Sequence, residues 1–223
     1  PSTHKVFGGT QSILMGDFIY ASAFKLIASL NNPQITHILA QATQEIVEGE
    51  IKQLSLQQNI DTSLDDYHSI IRAKTALLFS TGAQCIYTIS QCSEHGTAIH
   101  DYGFHFGMLY QMTDDILDID TSNLALNKAH GTDLSEGKMT LPSILAYQHA
   151  NKEDKKTLYQ IVSGEQPWQN IIPILERTHA LERCKSYTEV HCQAAINAIS
   201  KLPDSIYKQH LINLATHIPN RKR

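Results

Sequence analysis

Three aspartates within one turn of a predicted helix are the clearest candidates for chemistry in this sequence. Asp114, Asp115 and Asp118 interrupt an otherwise apolar stretch of helical period between residues 107 and 118. Residues four apart stand above one another on a helix, so Asp114 and Asp118 can share one hard cation, with Gln111 one turn earlier on the same stripe. Unpaired buried charge is costly and Mg²⁺ prefers oxygen ligands, so the pattern predicts a magnesium site.

The residues that follow the aspartates favour a phosphate ligand for such a cation. Mg²⁺ usually takes one or two protein carboxylates and completes its shell with water and substrate phosphates. The polar stretch after residue 120 contains Lys128 and Lys138, whose compact charges suit diphosphate oxygens, and Gly131 and Gly137, which would let the backbone approach a ligand. The alternative interpretation of the aspartates is a solvated acidic helix end, which is common on exposed helix faces.

A further cation lies upstream in an apolar segment. Lys74 and Thr75 interrupt the stretch from Ile70 to Phe79. A lysine among such neighbours either extends its ammonium to water or meets an anion, and the lysine alone favours the first.

Together these motifs resemble those of the trans-polyprenyl diphosphate synthases, and most closely the bacterial octaprenyl diphosphate synthases. The resemblance runs over nearly the whole chain, and no single motif would carry it. The matching residues are Gly16-Asp17-Phe18, Ala23-Phe24, Glu48-Gly49-Glu50, Gln53, Lys74-Thr75, Gln111, the run from Asp114 to Asp118, and the run from Gly131 to Pro142.

The resemblance implies a fold and an activity. The fold would be an all-α antiparallel helical bundle around a deep central cavity. The activity would be condensation of isopentenyl diphosphate with an allylic prenyl diphosphate, such as farnesyl diphosphate, to a long-chain product, octaprenyl by resemblance, for quinone side chains. The roles implied are Mg²⁺ ligation by Asp114, Asp115 and Asp118, catalysis by Lys74, Thr75 and Gln111, and substrate binding by these three with Lys128 and Lys138.

One departure from the family pattern is the absence of a first aspartate-rich motif, which should lie just before Pro1. The only other adjacent aspartates, Asp65 and Asp66, stand beside Ser63 at a predicted helix start, where carboxylates cap backbone N–H groups. We therefore expect a single domain over residues 1–223 that is incomplete at its N-terminus and inactive alone.

Two alternative functions fit a similar fold. A non-catalytic partner subunit of a heteromeric prenyl synthase would not need Asp114, Asp118, Lys74 and Lys128 together, and their presence argues against it. A terpene cyclase is disfavoured by the run from Lys138 to Pro142, which resembles the elongating enzymes.

Composition excludes several other classes of protein. The formal charge of −4 lacks the basic balance of a nucleic-acid-binding protein, and the basic run from Arg221 to Arg223 predicts a solvated tail. The four cysteines include no C-x-x-C pair and do not suggest a disulfide scaffold, so a reducing cytoplasm is expected.

The sequence also bears on membrane contact and on the oligomeric state. We find no apolar run of about 18 residues, so no membrane span is predicted. A long polyprenyl product is insoluble in water, which favours transient contact with a membrane surface. A homodimer is expected from the resemblance alone.

Apolar residues recur at three and four spacings along the chain, and no alternating strand pattern competes with them. Turn-forming residues separate the predicted helices, and the polar stretch from Asp120 to Lys138 predicts a long loop. The predicted helices span Ile13 to Leu30, Ile35 to Leu56, Leu64 to Ile89, Ile99 to Ile119, Leu141 to Ala150, Asp154 to Val162, Pro167 to Arg177, His179 to Leu202 and Asp204 to His217.

Overall fold

A computed structural model describes residues 3–90, 93–121 and 130–221, and these residues form helices and turns with no strand among them. The predicted all-α fold is therefore confirmed. Contacts divide the chain into two compact units, Pro1–Gln41 and Ala42–Arg223. Whether residues 1–223 form one domain stays a prediction. Lys128 lies outside the described residues.

The first unit contains α1 (Thr3–Phe7), α2 (Gly9–Ser29) and the beginning of α3 (Pro33–Ser55). The side chain of Asn32 starts α3 by accepting the backbone N–H groups of Gln34 and Ile35 at 3.1 and 3.2 Å. Pro33 occupies the first helical position, where its missing N–H costs nothing. The predicted helix start at this proline is confirmed.

Helix α2 carries a long row of exposed apolar side chains, among them Leu14, Phe18 and Leu26. By length and composition alone it is apolar enough to cross a membrane, which corrects the expectation that the chain contains no such run. It also contains Asp17 and Lys25. Core helices and signal sequences pass the same test, so the observation is weak evidence for a span.

The second unit is built around the 24-residue helix α6 (Gly96–Ile119). Helices α5 (Leu77–Ser90), α8 (Leu141–His149) and α11 (Ala180–Ala198) pack against α6. The core between them is filled by fully buried side chains such as Leu109, Met112, Leu141, Ile144 and Leu158. The remaining helices are α4 (Leu64–Ile71), α7 (Thr132–Ser135), α9 (Lys152–Val162), α10 (Ile172–Thr178) and α12 (Ile206–His217).

Helix α4 begins as the sequence predicts. The Ser63 hydroxyl accepts the Asp66 backbone N–H at 3.1 Å, and the Asp66 carboxylate accepts the Ser63 backbone N–H at 3.4 Å. This reciprocal pair is a capping box, so Asp66 has a structural role.

The structure differs from the predicted helix over Leu64 to Ile89 at one point. Residues Arg72–Ala76 form a π-helical turn between α4 and α5. Such a turn inserts one extra residue into the helical spiral, so it shifts the direction of every side chain after it. Periodicity over the whole segment does not reveal this shift, because apolar residues lie on both sides of it.

The long loop predicted from Asp120 to Lys138 is also interrupted, because α7 lies within it. Gly131, which precedes α7, has a left-handed backbone with φ of 65°. A Cβ there would lie 2.1 Å from the Trp168 ring, so an indole fills the space that we expected to admit a ligand.

Candidate active site

The π-helical turn decides which side chains point at α6 and which point at α3. With one residue inserted, Thr75 takes the direction that residue 74 would have in a regular helix, on the same face as Tyr67. Tyr67 and Thr75 accordingly both hydrogen bond to side chains of α6, whereas Lys74 reaches α3.

Close helix packing brings these side chains within hydrogen-bond distance. A Cβ on Gly107 of α6 would lie 2.5 Å from the Ala76 Cα, and a Cβ on Gly103 would lie 2.8 Å from the Phe79 carbonyl oxygen. On the other side, a Cβ on Gly49 of α3 would lie 2.7 Å from the Ala73 Cβ. Glycine is therefore required for the spacing of the three segments.

Four side chains form a continuous hydrogen-bond chain across this contact. The Thr75 hydroxyl donates to Gln111 Oε1 at 2.7 Å, and Gln111 Nε2 donates to Asp115 Oδ1 at 2.8 Å. The Tyr67 hydroxyl donates to Asp115 Oδ2 at 2.7 Å. We call Tyr67, Asp115, Gln111 and Thr75 the inner network.

Tyr67 and Asp115, at one end of the inner network, are buried, and burial changes the acidity of both. Asp115 is 4% exposed, and burial raises its pKa to about 7, although the hydrogen bonds from Tyr67 and Gln111 act in the opposite direction. Burial also raises the pKa of Tyr67 well above its usual value, as does the nearby charge of Asp115. Tyr67 therefore keeps its proton and acts as a donor.

Lys74 is held by two residues of α3. Its Nζ donates to Gln53 Oε1 at 2.5 Å and lies 3.0 Å from Glu50 Oε1. The ammonium thus has a carboxylate and an amide as partners, and it lies on the wall of a cavity. Of the two readings left open for this lysine, the structure favours the one in which it meets polar partners.

The other two aspartates of the cluster point away from the inner network. Asp114 is paired with Arg221, whose Nη2 lies 2.5 Å from Asp114 Oδ1 and whose guanidinium lies over the Tyr110 ring. The predicted solvated tail is therefore wrong for Arg221. Asp118 is 8% exposed, and its Oδ2 accepts the backbone N–H of Asp133 at 3.2 Å.

Asp133 joins the aspartate cluster from the segment after residue 130, and the sequence did not identify it as a site residue. Burial raises the pKa of Asp133, the negative charge of Asp118 raises it further, and Lys138 lowers it. Lys138 Nζ lies 2.6 Å from Glu136 Oε2 and 3.7 Å from Asp133 Oδ1. Lys138 therefore stands beside the cluster, and its predicted role in substrate binding stays a prediction.

The cavity between these groups encloses about 80 Å³. The inner network, Lys74 and Lys138 lie on its wall, so it is a cleft that offers polar groups to a ligand. Its wall combines polar and apolar side chains: Gln53, Leu56, Thr62, Tyr67, Ile70, Ile71, Lys74, Thr75, Gln111, Asp115, Asp133, Lys138, Met139 and Thr140.

The donor set fits a divalent cation in an open site. Among the described residues, no group of three histidine, cysteine, aspartate or glutamate side chains is arranged so that it could hold a metal ion by itself. Asp114, Asp118 and Asp133 are nevertheless close enough for the charges of the first two to raise the pKa of the third. Mutually repelling carboxylates of this kind suit a hard cation whose remaining ligands come from water and phosphate.

Comparison with known proteins agrees with this geometry. A family model described as Polyprenyl synthetase matches residues 1–173. The octaprenyl diphosphate synthase of Haemophilus influenzae is 36% identical over 213 residues, covering 94% of this chain and 65% of its own length. The chain thus spans less than two thirds of that relative.

Two solved structures share the fold over nearly the whole chain. The crystal structure of a decaprenyl diphosphate synthase from Rhodobacter capsulatus matches with a TM-score of 0.92 and 31% identity, covering 100% of this chain and 70% of that one. The polyprenyl synthase from Caulobacter crescentus CB15, complexed with calcium and isoprenyl diphosphate, matches with a TM-score of 0.92 and 30% identity, covering 99% and 69%.

Proposed function

The chain belongs to the polyprenyl synthetase family, and on that premise we propose that it condenses isopentenyl diphosphate with an allylic prenyl diphosphate such as farnesyl diphosphate. The observation that carries this proposal is the cleft on which Lys74, Thr75 and Gln111 converge beside the aspartate cluster. A substrate that separates into a diphosphate anion and an allylic cation needs cationic groups at one end and oriented oxygen atoms at the other.

Asp114 and Asp118 are the residues that we propose to hold Mg²⁺, with Asp133 beside them. When bound, Mg²⁺ would stabilise the negative charge that develops on the departing diphosphate. The calcium ion named with the Caulobacter protein supports a divalent cation in this family, and the all-oxygen donor set supports Mg²⁺. Asp115, predicted as a third ligand, already accepts a hydrogen bond on each oxygen, and we assign it no metal.

Lys74 and Lys138 are proposed to bind diphosphate oxygens. Both ammonium groups lie on the cleft wall, and both exchange a carboxylate partner for a stronger anion when a diphosphate enters. Lys128, which the structure does not describe, stays a third candidate from the sequence.

Thr75 and Gln111 are proposed to stabilise the allylic cation. Their side-chain oxygens are already in contact with each other, so they need no rearrangement as positive charge develops. Water would capture such a cation, and the apolar Ile70, Ile71 and Met139 on the same wall exclude it.

A long-chain product is proposed from the relatives, with octaprenyl diphosphate as the specific expectation. The relatives described above carry names with eight and ten prenyl units at similar identity, so family membership does not fix the length.

A homodimer, a cytoplasmic location and transient contact with a membrane surface complete the proposal. The exposed apolar side chains of α2, including Leu14, Phe18 and Leu26, supply surface for either kind of contact. Light scattering would test the dimer. Flotation with phospholipid vesicles, with and without product, would test the membrane contact.

The alternative function, a non-catalytic partner subunit, predicts a site that has lost its chemistry. The inner network and the lysines that line the cleft are all in place, which supports the catalytic function instead.

The test is incorporation of radiolabelled isopentenyl diphosphate into butanol-extractable product by the full gene product, with farnesyl diphosphate and Mg²⁺. We expect a ladder of prenyl diphosphates, and a Lys74→Ala variant should lose about 10²–10³ in kcat. Lys156→Ala, which removes an exposed lysine of α9, is the matched control. No incorporation by the purified protein would overturn the proposal, and a cyclic hydrocarbon made from farnesyl diphosphate alone would replace it with a cyclase.

A further inference from the structure

We propose that Tyr67 and Asp115 are positioning residues that fix the direction of every hydrogen bond in the inner network, so that the lone pairs of Thr75 face the cleft. The inference rests on the proposed function, because it explains how the cation-stabilising oxygens are aimed. The observation behind it is the unbroken sequence of contacts at 2.7, 2.8 and 2.7 Å from Tyr67 to Thr75.

The direction of the network is set at its buried end. Tyr67 has one hydroxyl proton and donates it to Asp115 Oδ2, which leaves Asp115 Oδ1 to accept from Gln111 Nε2. With its amide nitrogen turned inward, Gln111 must present Oε1 to Thr75. Thr75 must then donate its proton to Gln111, and the remaining lone pairs of Thr75 Oγ1 point away from the donated proton.

This order matters for the reaction because a reversed amide would present the wrong charge. If Gln111 were turned over, its N–H groups would approach Thr75, and Thr75 would direct its hydroxyl proton elsewhere. Partial positive charges would then face a developing carbocation, where partial negative charges are needed. In its ionised form Asp115 prevents this reversal, because a carboxylate accepts hydrogen bonds on both oxygens and has no hydrogen to donate to the Gln111 oxygen.

If Tyr67 had a purely structural role, its hydroxyl would only have to donate a hydrogen bond to the buried carboxylate of Asp115. Tyr67 is 3% exposed, and its hydroxyl meets that requirement. A positioning role makes an additional demand: loss of the hydroxyl must lower the rate of the chemical step, leave substrate binding unchanged, and act through Thr75.

The first experiment is steady-state and single-turnover kinetics of Tyr67→Phe in the full gene product. The change keeps the ring and removes one charge-assisted hydrogen bond, so we expect kcat to fall about 10-fold. KM for both diphosphates should stay within about twofold, because Lys74 and the aspartate cluster are untouched. Tyr102→Phe is the matched control: its buried hydroxyl donates to the Leu211 carbonyl at 2.8 Å, away from the cleft, and its kcat should not change.

The second experiment replaces the acceptor itself. In Asp115→Asn, the amide can donate as well as accept hydrogen bonds, so the network can form in either direction. We therefore expect kcat to fall by about 10²-fold, at least as much as in Tyr67→Phe. The Mg²⁺ concentration for half-maximal activity should not change, whereas Asp114→Asn should raise it. A second measurement, independent of turnover, uses a thiolodiphosphate analogue of farnesyl diphosphate that does not form the allylic cation. Its affinity, measured by calorimetry, should also be unchanged in Asp115→Asn.

The third experiment asks whether Tyr67 acts through Thr75. Thr75→Val removes the hydroxyl that the network aims, so adding Tyr67→Phe to it should cost nothing further, and Thr75→Ser should retain most of the activity. Any of three results would overturn the inference. The first is an unchanged kcat in Tyr67→Phe, and the second is a double variant whose loss of kcat is the product of the two single losses. The third is weaker binding of Mg²⁺ or of the analogue by Asp115→Asn. Failure of the proposed function would be distinct, because the wild type itself would then form no product.

Discussion

The two sides of the α6 aspartate cluster treat neighbouring carboxylates in opposite ways. On the inner side, Asp115 is buried and accepts a hydrogen bond on each oxygen from Tyr67 and Gln111. On the outer side, Asp114 and Asp118 lie near a third carboxylate, Asp133, and raise its pKa by repulsion. Asp114 and Asp115 are adjacent in sequence, yet a rotation of about 100° along a helix separates their environments.

Neighbouring aspartates of one sequence motif therefore have two different functions. Neutral donors satisfy the inner carboxylate in fixed directions, which suits a group that positions other side chains. The outer carboxylates add negative charge beside Asp133, and such a concentration of carboxylates suits a group that binds a cation. A motif of three aspartates therefore does not imply three metal ligands.

The largest expected effect is on the outer side. Asp114→Asn removes a charge from the proposed Mg²⁺ site, and kcat should fall by about 10²–10³, as expected for one electrostatic group in an active site. The free energy of unfolding should fall by no more than about 1 kcal/mol, because the ion pair of Asp114 with Arg221 is partly exposed. Steady-state kinetics with a Mg²⁺ titration and urea unfolding would measure both.

Asp65→Asn is the control for that experiment, since Asp65 is an exposed aspartate in the first turn of α4. Its kinetics should equal those of the wild type. An Asp114→Asn protein with full activity at unchanged Mg²⁺ would show that the outer carboxylates do not hold the metal.

The second expected effect is on the packing that assembles the inner network. Gly107→Ala would bring a Cβ to 2.5 Å from the Ala76 Cα, and backbone atoms cannot turn aside. We expect the free energy of unfolding to fall by about 1–3 kcal/mol, as for other overpacked cores. The activity should fall as well, because the separation of Thr75 and Gln111 depends on this contact.

Gly82→Ala is the matched control for the packing variant. Gly82 lies in α5, and a Cβ there would meet nothing within 4 Å. Alanine should therefore stabilise the helix by up to about 1 kcal/mol. If both glycine variants were equally stable, the close approach of α6 to the π-helical turn would not constrain the fold.

Helices and part of the site could be predicted from the sequence because they depend on local patterns. The start of α4 at Ser63 and the start of α3 at Pro33 follow from capping residues. Thr75 and Gln111 were both identified from the family resemblance, and the structure brings their side chains within 2.7 Å of each other.

The remaining parts depend on features that local patterns do not contain. The role of Tyr67 was missed because the π-helical turn brings Thr75 onto the same face as Tyr67, eight residues earlier, which a regular helix does not predict. The contact of Arg221 with Asp114 joins residues 107 positions apart, so no periodicity reports it. Asp133 was not identified as a site residue because its segment was predicted to be a long loop. That prediction did not show that Asp133 lies beside Asp118.

A third expected effect concerns a pair of histidines, one on α6 and one on α11. His105 Nδ1 lies 3.0 Å from His191 Nδ1 of α11. Burial, together with the neighbouring His105 and His68, lowers the pKa of His191 from its usual 6.5 to about 4. Burial also lowers the pKa of His105, which the carboxylate of Asp101 opposes.

Because the folded-state pKa of His191 lies below the unfolded value, the unfolded chain binds more protons between pH 6.5 and about 4. The stabilisation present above pH 6.5 is therefore lost as the pH falls through this range. Asp115 has the opposite dependence, since its pKa is raised to about 7. The histidine effect is thus the difference between wild type and His191→Gln.

Urea unfolding at pH 7.5 and pH 5.0 would measure that difference. We expect the wild type to lose about 1 kcal/mol more than His191→Gln, a value reduced for the partial exposure of the ring. An identical pH dependence in the two proteins would show that the imidazole pair accepts a proton without cost.

The smallest expected effect tests whether the outer side of the cluster is open to a cation. Arg221 is 22% exposed at its side chain and pairs with the same Asp114 oxygen that a metal would use, so guanidinium and cation compete for it. A partly exposed ion pair contributes up to about 1 kcal/mol, so Arg221→Ala should tighten Mg²⁺ binding in the presence of an isoprenyl diphosphate by about threefold.

Arg177→Ala, which breaks an ion pair with Asp154 of α9, is the matched control and should leave Mg²⁺ binding unchanged. Weaker Mg²⁺ binding in Arg221→Ala would mean that Arg221 supports the metal site by holding the carboxylate in place, and the outer side would then be preorganised in the same sense as the inner network.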